Sequence, residues 1–364
     1  MNIGIIGAGQ LGRMMALSGY PLGLKFTVVD PNADSSGAQV AQCIQGAYDD
    51  AAALRKLAAA CDVITFDVEN VPVSAVEPIA QLKPFYPPVN ALAASQDRLI
   101  EKTLFRELGI PTPEFRAVDS LADLQQAVKE IGLPGILKTR RLGYDGKGQF
   151  RLKKSSDVET AWQTLSVQGI GLIYEAFVPF TREVSIIGAR NTEGETAIYP
   201  LAANTHLHGV LHYSVAPYRH ASLQRLAENY LKRLFKQFNY VGVLTIEFFV
   251  LNGKLLANEM APRVHNSGHW TIEGAETSQF ENHIRAICGL PLGSTAPRGH
   301  AAMMNFVGAI PERDQMLKMQ LAHFHHYGKE TRPGRKLGHA TVVAPTAAKR
   351  DQLLKKLLKF SKWR

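Results

Sequence analysis

The chain opens on a strand that runs straight into a glycine turn. Ile3-Gly4-Ile5-Ile6 is a short apolar run, and Gly7-Ala8-Gly9-Gln10-Leu11-Gly12 follows at once. An unbroken apolar run suits a strand buried on both faces, and glycines at its end let a helix start close against it. Two more apolar runs, over residues 24–29 closing on Asp30 and over residues 61–66, alternate with helical stretches at 13–17 and 50–60. Strands alternating with helices predict a parallel α/β sheet. Lys83-Pro84-Phe85-Tyr86-Pro87-Pro88 breaks the alternation and marks the edge of a first domain over residues 1–95.

With 364 residues, the chain has room for one or two further domains. It contains no run of eighteen apolar residues, so no transmembrane helix is expected, and its start lacks the pattern of a signal peptide. Cys43, Cys61 and Cys288 stand far apart and form neither a metal spacing nor a disulfide framework, which predicts a reducing cytoplasm. Helices are expected over 97–108, 120–131 and 222–238, and strands over 136–138, 171–178, 183–189, 243–251 and 255–260.

Several segments carry chemistry. The glycine turn, with Asp30 eighteen residues after Gly12, fits a dinucleotide fingerprint and so an NAD-dependent dehydrogenase; it equally fits close strand–helix packing or any phosphate at a helix N-terminus. Lys138 precedes a loop containing Gly143, Tyr144, Asp145, Gly146, Lys147, Gly148 and Gln149, whose glycines free backbone N–H groups to fold over a polyphosphate. Glu247 and Glu259 flank Asn252-Gly253, a hairpin signal. A two-residue loop would place the two glutamates on opposite faces, whereas a three-residue loop, Asn252-Gly253-Lys254, sets them directly across from each other. The three-residue loop is the register expected. Two facing carboxylates need a cation between them, and magnesium shared with nucleotide phosphates would serve, with Asn258 as a further oxygen.

The formal charge of +9 admits a nucleic-acid binder, a membrane-surface binder or an enzyme for anionic substrates. Its placement decides. Lys329, Arg332, Arg335 and Lys336, with Glu330, contribute +3, residues 349–364 contribute +6, and the rest of the chain is formally neutral. A basic surface spread for nucleic acid is therefore not expected. The arginine forks suit a phosphate. In the tail, Leu353, Leu354, Leu357, Leu358 and Phe360 share a helical stripe among lysines, which predicts a docking or dimer-edge helix rather than a membrane-surface one.

The ordered set of Gly-Ala-Gly-Gln-Leu-Gly-Arg-Met at residues 7–14, Lys138, Gly-Tyr-Asp-Gly-Lys-Gly-Gln at 143–149, Glu247, Asn258-Glu259, Ala-Pro-Arg-Val-His-Asn-Ser-Gly-His-Trp-Thr at 261–271 and Arg-Pro-Gly-Arg-Lys-Leu-Gly-His at 332–339 resembles one family. It is similar to the 5-(carboxyamino)imidazole ribonucleotide synthases, ATP-grasp enzymes of purine biosynthesis that form the ATPase subunit of the two-part bacterial phosphoribosylaminoimidazole carboxylase. The resemblance runs from residue 1 to about 343, and leaves 344–364 unplaced. It implies an N-terminal Rossmann-like parallel-sheet domain over 1–95, an ATP-grasp domain over 102–290 with a lid over about 114–176, and a C-terminal portion over 291–364. It implies an ATP-dependent ligase that carboxylates 5-aminoimidazole ribonucleotide with bicarbonate through carboxyphosphate, using magnesium or manganese, as a cytoplasmic homodimer. Glycinamide ribonucleotide transformylase, formate-dependent, is the nearest alternative. The later motifs have no place in a dehydrogenase, which displaces the NAD reading.

By the resemblance, Arg98 and Lys138 contact ATP phosphates beneath the loop from Gly143 to Gln149. Glu175, Ala176, Phe177 and Val178 line the adenine pocket, Glu183 takes the ribose hydroxyls, and His206 lies near the nucleotide. Asn258, Glu259 and Glu247 hold the metal, with Glu247 and Glu259 as its carboxylates. Gln10, Leu11 and Glu69, with Lys329, Arg332, Arg335 and Lys336, surround the ribonucleotide and its 5′-phosphate. Arg263 and His269 are the candidates for holding bicarbonate. Asp67 stands where the family pattern has glutamate.

Overall fold

The computed structural model describes residues 1–143 and 146–361. Tyr144 and Asp145 of the glycine loop, and Lys362, Trp363 and Arg364 of the basic tail, lie outside the described residues.

The N-terminal sheet is parallel, with strands in the order Gln42–Gln45, Lys25–Asp30, Asn2–Ile6 and Val63–Phe66. Gln42–Gln45 is an edge strand with glutamines at both ends and no residue fully buried, so apolar patterning does not reveal it. Helix Gln10–Gly19 starts directly after the glycine turn and buries Leu11, Met14 and Met15. Asp50 caps helix Ala51–Ala60 by accepting from the Ala52 and Ala53 amides.

A second, antiparallel sheet runs in the order Phe115–Val118, Leu172–Ala176, Gly135–Thr139 and Gln149–Leu152. Helices Leu121–Ile131 and Asp157–Leu165 pack on it around Leu124, Leu137, Ala161, Leu172 and Tyr174.

The largest sheet is antiparallel: Lys254–Ala261, Gly242–Leu251, Arg182–Arg190, Ala202–Leu207, Val210–Ala216, His300–Val307, Lys336–Ala344 and Ala322–His326, with Thr196–Ile198 beside Arg182–Arg190. Its last three strands come from the C-terminal part. That part therefore extends the central sheet, joined through the pairing of Val210–Ala216 with His300–Val307. Helix Ala221–Phe238 covers it with Leu223, Leu231, Leu234 and Phe238 at helical spacing.

Two expectations change. The apolar stripe of the tail is not left for a partner: helix Ala347–Leu357 buries Leu353, Leu354 and Leu357 against Phe306, Ala340 and Val342 of the chain's own sheet. The lysines face outward because the stripe faces in. The hairpin loop has two residues, not three, since Leu251 pairs with Lys254 across Asn252-Gly253. Both loop residues have positive φ, at 49° and 74°, the conformation that an Asn-Gly hairpin turn favours. Among the described residues no helix is long and apolar enough to cross a membrane.

Candidate active site

Glu247 nevertheless sits directly across from Glu259. Pairing shifts by one residue between Glu247 and Phe248, which leaves Asn258 as the extra residue of a β-bulge. The bulge absorbs the residue that the shorter loop leaves over. Burial pushes the Glu247 carboxyl up to about 7, with Glu259 and Glu183 adding to it against the pull of His206. Two facing carboxylates are a donor set fit for a hard cation. Among the described residues no three His, Cys, Asp or Glu side chains form a ready metal cage.

Beside this pair, His206 Nδ1 lies 2.8 Å from Glu183 Oε2. Burial alone would lower the imidazole; the bond to Glu183, and the charges of Glu247, Glu183 and Glu259, outweigh it and bring His206 to about 8. A second bulge sets its aim: the ladder slips between Thr205 and His206, leaving His212 over. The third slip of the large sheet leaves Leu337 over, next to Lys336. Each register break thus stands beside a predicted site residue, where a bulge can redirect a side chain.

Lys138, on strand Gly135–Thr139, points at Glu175 Oε2 from 2.8 Å, and Lys102 reaches the same oxygen at 3.3 Å. Burial would raise the Glu175 carboxyl, but the two ammonium groups hold it down to about 2. Its Oε2 is thus committed to the lysines, while its buried Oε1 has no hydrogen-bond partner among the described residues. The Ala176 and Phe177 amides donate to Glu114 and Pro134 carbonyls, while the Phe177 ring lies under the Arg151 guanidinium and Val178 is buried. Arg98 donates to the Gly143 carbonyl at 3.1 Å, at the root of the glycine loop. Asp97 fixes this corner. It caps helix Arg98–Glu107 and takes Arg140 at 3.0 and 2.8 Å and Arg141 at 3.2 Å. Burial raises Asp97; the donors from Arg140, Leu99 and Arg141 outweigh it and hold it below the usual carboxylate range. Gly146 and Gly148 have positive φ, and a Cβ on Gly146 would lie 3.1 Å from the His208 carbonyl oxygen, so the loop reaches the turn between Ala202–Leu207 and Val210–Ala216. Lys147 and Gln149 are exposed.

Toward the N-terminal sheet, Arg263 Nε lies 2.6 Å from Glu69 Oε1, and Lys329 donates to Gln10 Oε1. Leu11 is in the apolar core, so Gln10 alone of that pair presents its side chain. The glycine turn is not free for a phosphate. Asp67 Oδ2 accepts from the Gly9 amide at 2.6 Å and the Gly12 amide at 3.1 Å, and Asp30 Oδ2 accepts from Ala8 at 2.9 Å. Burial lifts Asp67 to about 6 against those donors and against Lys329 and Arg263. Burial, Arg335 and Lys336 push Lys329 down to about 8. Arg335 and Lys336 are half-buried, whereas Arg332 stands on the rim, 68% exposed, paired with Glu330.

His269 is fully buried beneath the site, its ring against Phe280 and 5.0 Å from that of His339. The imidazole that reaches the site is His265, whose Nε2 lies 3.5 Å from Glu247. The Ser267 amide donates to its Nδ1 at 3.3 Å, which leaves the proton on Nε2. Burial, Arg263 and Lys336 keep His265 neutral, well below its ordinary range. Glu101, Lys102 and Asp97 also belong to this site and carry no motif in the sequence.

Residues from three separate stretches are thus joined by side-chain contacts: Arg263 with Glu69, and Lys329 with Gln10. Family models match in the same three stretches: a ribonucleotide synthetase preATP-grasp domain over 1–96, an ATP-grasp domain over 103–280, and a phosphoribosylaminoimidazole carboxylase C-terminal domain over 301–353. The last extends into the tail helix, past the end of the resemblance read from sequence. The N5-carboxyaminoimidazole ribonucleotide synthase of Pseudomonas aeruginosa is 53% identical over 342 residues, covering 94% of each chain. The chain belongs to the N5-carboxyaminoimidazole ribonucleotide synthase family. A crystal structure of the synthetase of this name from Thermus thermophilus aligns with a TM-score of 0.95 at 49% identity, over 100% of this chain and 99% of that one. The synthase from Aspergillus clavatus, in complex with ADP and 5-aminoimidazole ribonucleotide, aligns with a TM-score of 0.92 at 30% identity, over 99% and 98%.

Proposed function

We propose that the chain is an ATP-dependent ligase that joins bicarbonate to the exocyclic amine of 5-aminoimidazole ribonucleotide in purine biosynthesis. The observation that supports it best is the pairing of Glu247 with Glu259, with Lys138 beside Glu175 and Arg263 beside Glu69. A bicarbonate oxygen attacks the γ-phosphorus and ADP leaves. The carboxyphosphate so formed loses phosphate, the amine nitrogen takes the carbon, and the nitrogen sheds its proton. Phosphoryl transfer asks mainly for alignment and charge neutralisation.

The residues divide that work. Lys138 and Arg98 align the phosphates, and Glu183, held by His206, accepts from the ribose hydroxyls. Arg263 and the Nε2–H of His265 hold bicarbonate, while His269 packs below them. Glu247 and Glu259, with Asn258, would hold magnesium. When bound, that ion offsets charge on the phosphates. The glycine loop keeps water from an intermediate that hydrolyses readily. Lys329, Arg335 and Lys336 take the 5′-phosphate, with Arg332 at the rim. Asp67 occupies the amides of the glycine turn, so Gln10 is what that turn offers the substrate.

The test is incorporation of labelled bicarbonate into 5-aminoimidazole ribonucleotide. Label should enter only with ATP present, and Glu259→Gln should abolish it. Incorporation of formate instead would contradict the proposal and favour a transformylase.

A further inference from the structure

Among the described residues, strand Lys254–Ala261 is the last of its sheet and has no strand on its outer edge. On that edge two backbone groups flank Glu259, and neighbouring residues of helix Arg98–Glu107 take both. Glu101 Oε1 accepts from the Met260 amide at 2.6 Å. Lys102 Nζ donates to the Asn258 carbonyl at 3.0 Å. Glu101 and Lys102 are 2% and 1% exposed. Burying two such side chains is expensive, and an apolar helix face would cover an edge more cheaply were the backbone groups not there to be satisfied. One supplies the acceptor and the other the donor, at the bulge that brings Glu259 across from Glu247. The same ammonium reaches Glu175, which holds Lys138.

We infer that Glu101 and Lys102 are positioning residues that clasp the backbone on both sides of Glu259, aim its carboxylate at Glu247, and tie that aim to Lys138 through Glu175. Neither touches substrate. The inference rests on the reading of Glu247 and Glu259 as metal carboxylates, so Glu259→Gln is measured alongside.

Two readouts test it: hydrogen–deuterium exchange at the Met260 amide in nucleotide-free protein, and calorimetric titration of ADP at rising magnesium. Lys102→Met should speed the exchange, by loosening the backbone one peptide away, and raise the magnesium needed for ADP binding by about tenfold, as loss of a supporting partner does at metal sites. Lys102→Arg should recover most of both. If Glu259→Gln changes the magnesium dependence while a folded Lys102→Met changes neither readout, the clasp is overturned. If Lys102→Met weakens ADP alone, Lys102 serves Lys138 only and the clasp is again overturned. If Glu259→Gln leaves the magnesium dependence unchanged, the metal reading fails first. Should Lys102→Met not fold, Glu101→Gln and Glu101→Leu make the same comparison. Glutamine keeps an oxygen for the Met260 amide and leucine does not, so equal exchange in the two overturns the clasp.

Discussion

Asp67 decides what the glycine turn does. Its Oδ2 accepts from Gly9 and Gly12, and a Cβ on Gly7 would lie 1.9 Å from its Oδ1. The glycines make room for a carboxylate of the chain itself, which fills the place a bound phosphate would take. The motif is legible in the sequence; its occupant is not, because Asp67 arrives from a strand far along the chain. Its carboxyl is raised in the fold, from 3.8 to about 6. Stability tied to it is therefore complete below the unfolded value and falls as pH rises through about 6. Urea unfolding across that range should show this fall in the wild type and a flatter profile in Asp67→Asn; parallel profiles would refute it. Under the proposed function Arg335 takes the 5′-phosphate, and Arg335→Ala removes that charge-assisted contact. It should raise the KM for 5-aminoimidazole ribonucleotide by about tenfold and leave kcat near its value, measured by steady-state kinetics. His265 shows the limit of reading a motif by residue type. Two histidines lie in one polar stretch, and only the fold buries His269 and presents His265.

Among the elements, the glutamate hairpin teaches the most. The two carboxylates face each other as expected, by a different route: a tight Asn-Gly turn plus a bulge in place of a longer loop. Apolar alternation reveals strands, but a bulge has no composition of its own, so none of the three slips in the large sheet is legible. Ala202–Leu207 and Val210–Ala216 mix polar with apolar residues and escape notice for a related reason, since polar site residues interrupt their periodicity. Helices 98–107, 121–131 and 221–238 are legible because capping residues and periodic apolar faces are local signals. Gly253 sits at φ 74° with nothing near a prospective Cβ. Gly253→Ala should cost about 1 kcal/mol in urea unfolding, from backbone strain alone, and leave turnover unchanged. Leu357 is fully buried on the tail helix. Leu357→Ala should cost about 2–5 kcal/mol by the same measurement, because the helix seals the chain's own sheet. A cost near zero would return that helix to the role of an outward-facing dock.

For the whole molecule, the opening charge of +9 has two structural meanings. Of the cations near residue 330, Lys329 acts on Asp67 and Lys336 on Glu247. Lys349, Lys355, Lys356 and Lys359 are the solvated back of a tail segment whose other face is core. Three stretches of chain contribute to one site, and each announces itself in sequence through residues that chemistry requires. The supports between them, Asp97, Glu101 and Lys102, are set by which helix covers which edge, and that is a property of the assembled fold. In the proposed function the site acts as one unit, with nucleotide, bicarbonate and ribonucleotide handled together. Phosphate release from ATP measures this most directly. Release should depend on bicarbonate and rise when 5-aminoimidazole ribonucleotide is added, with product formed in step; release that ignores the ribonucleotide would contradict the account.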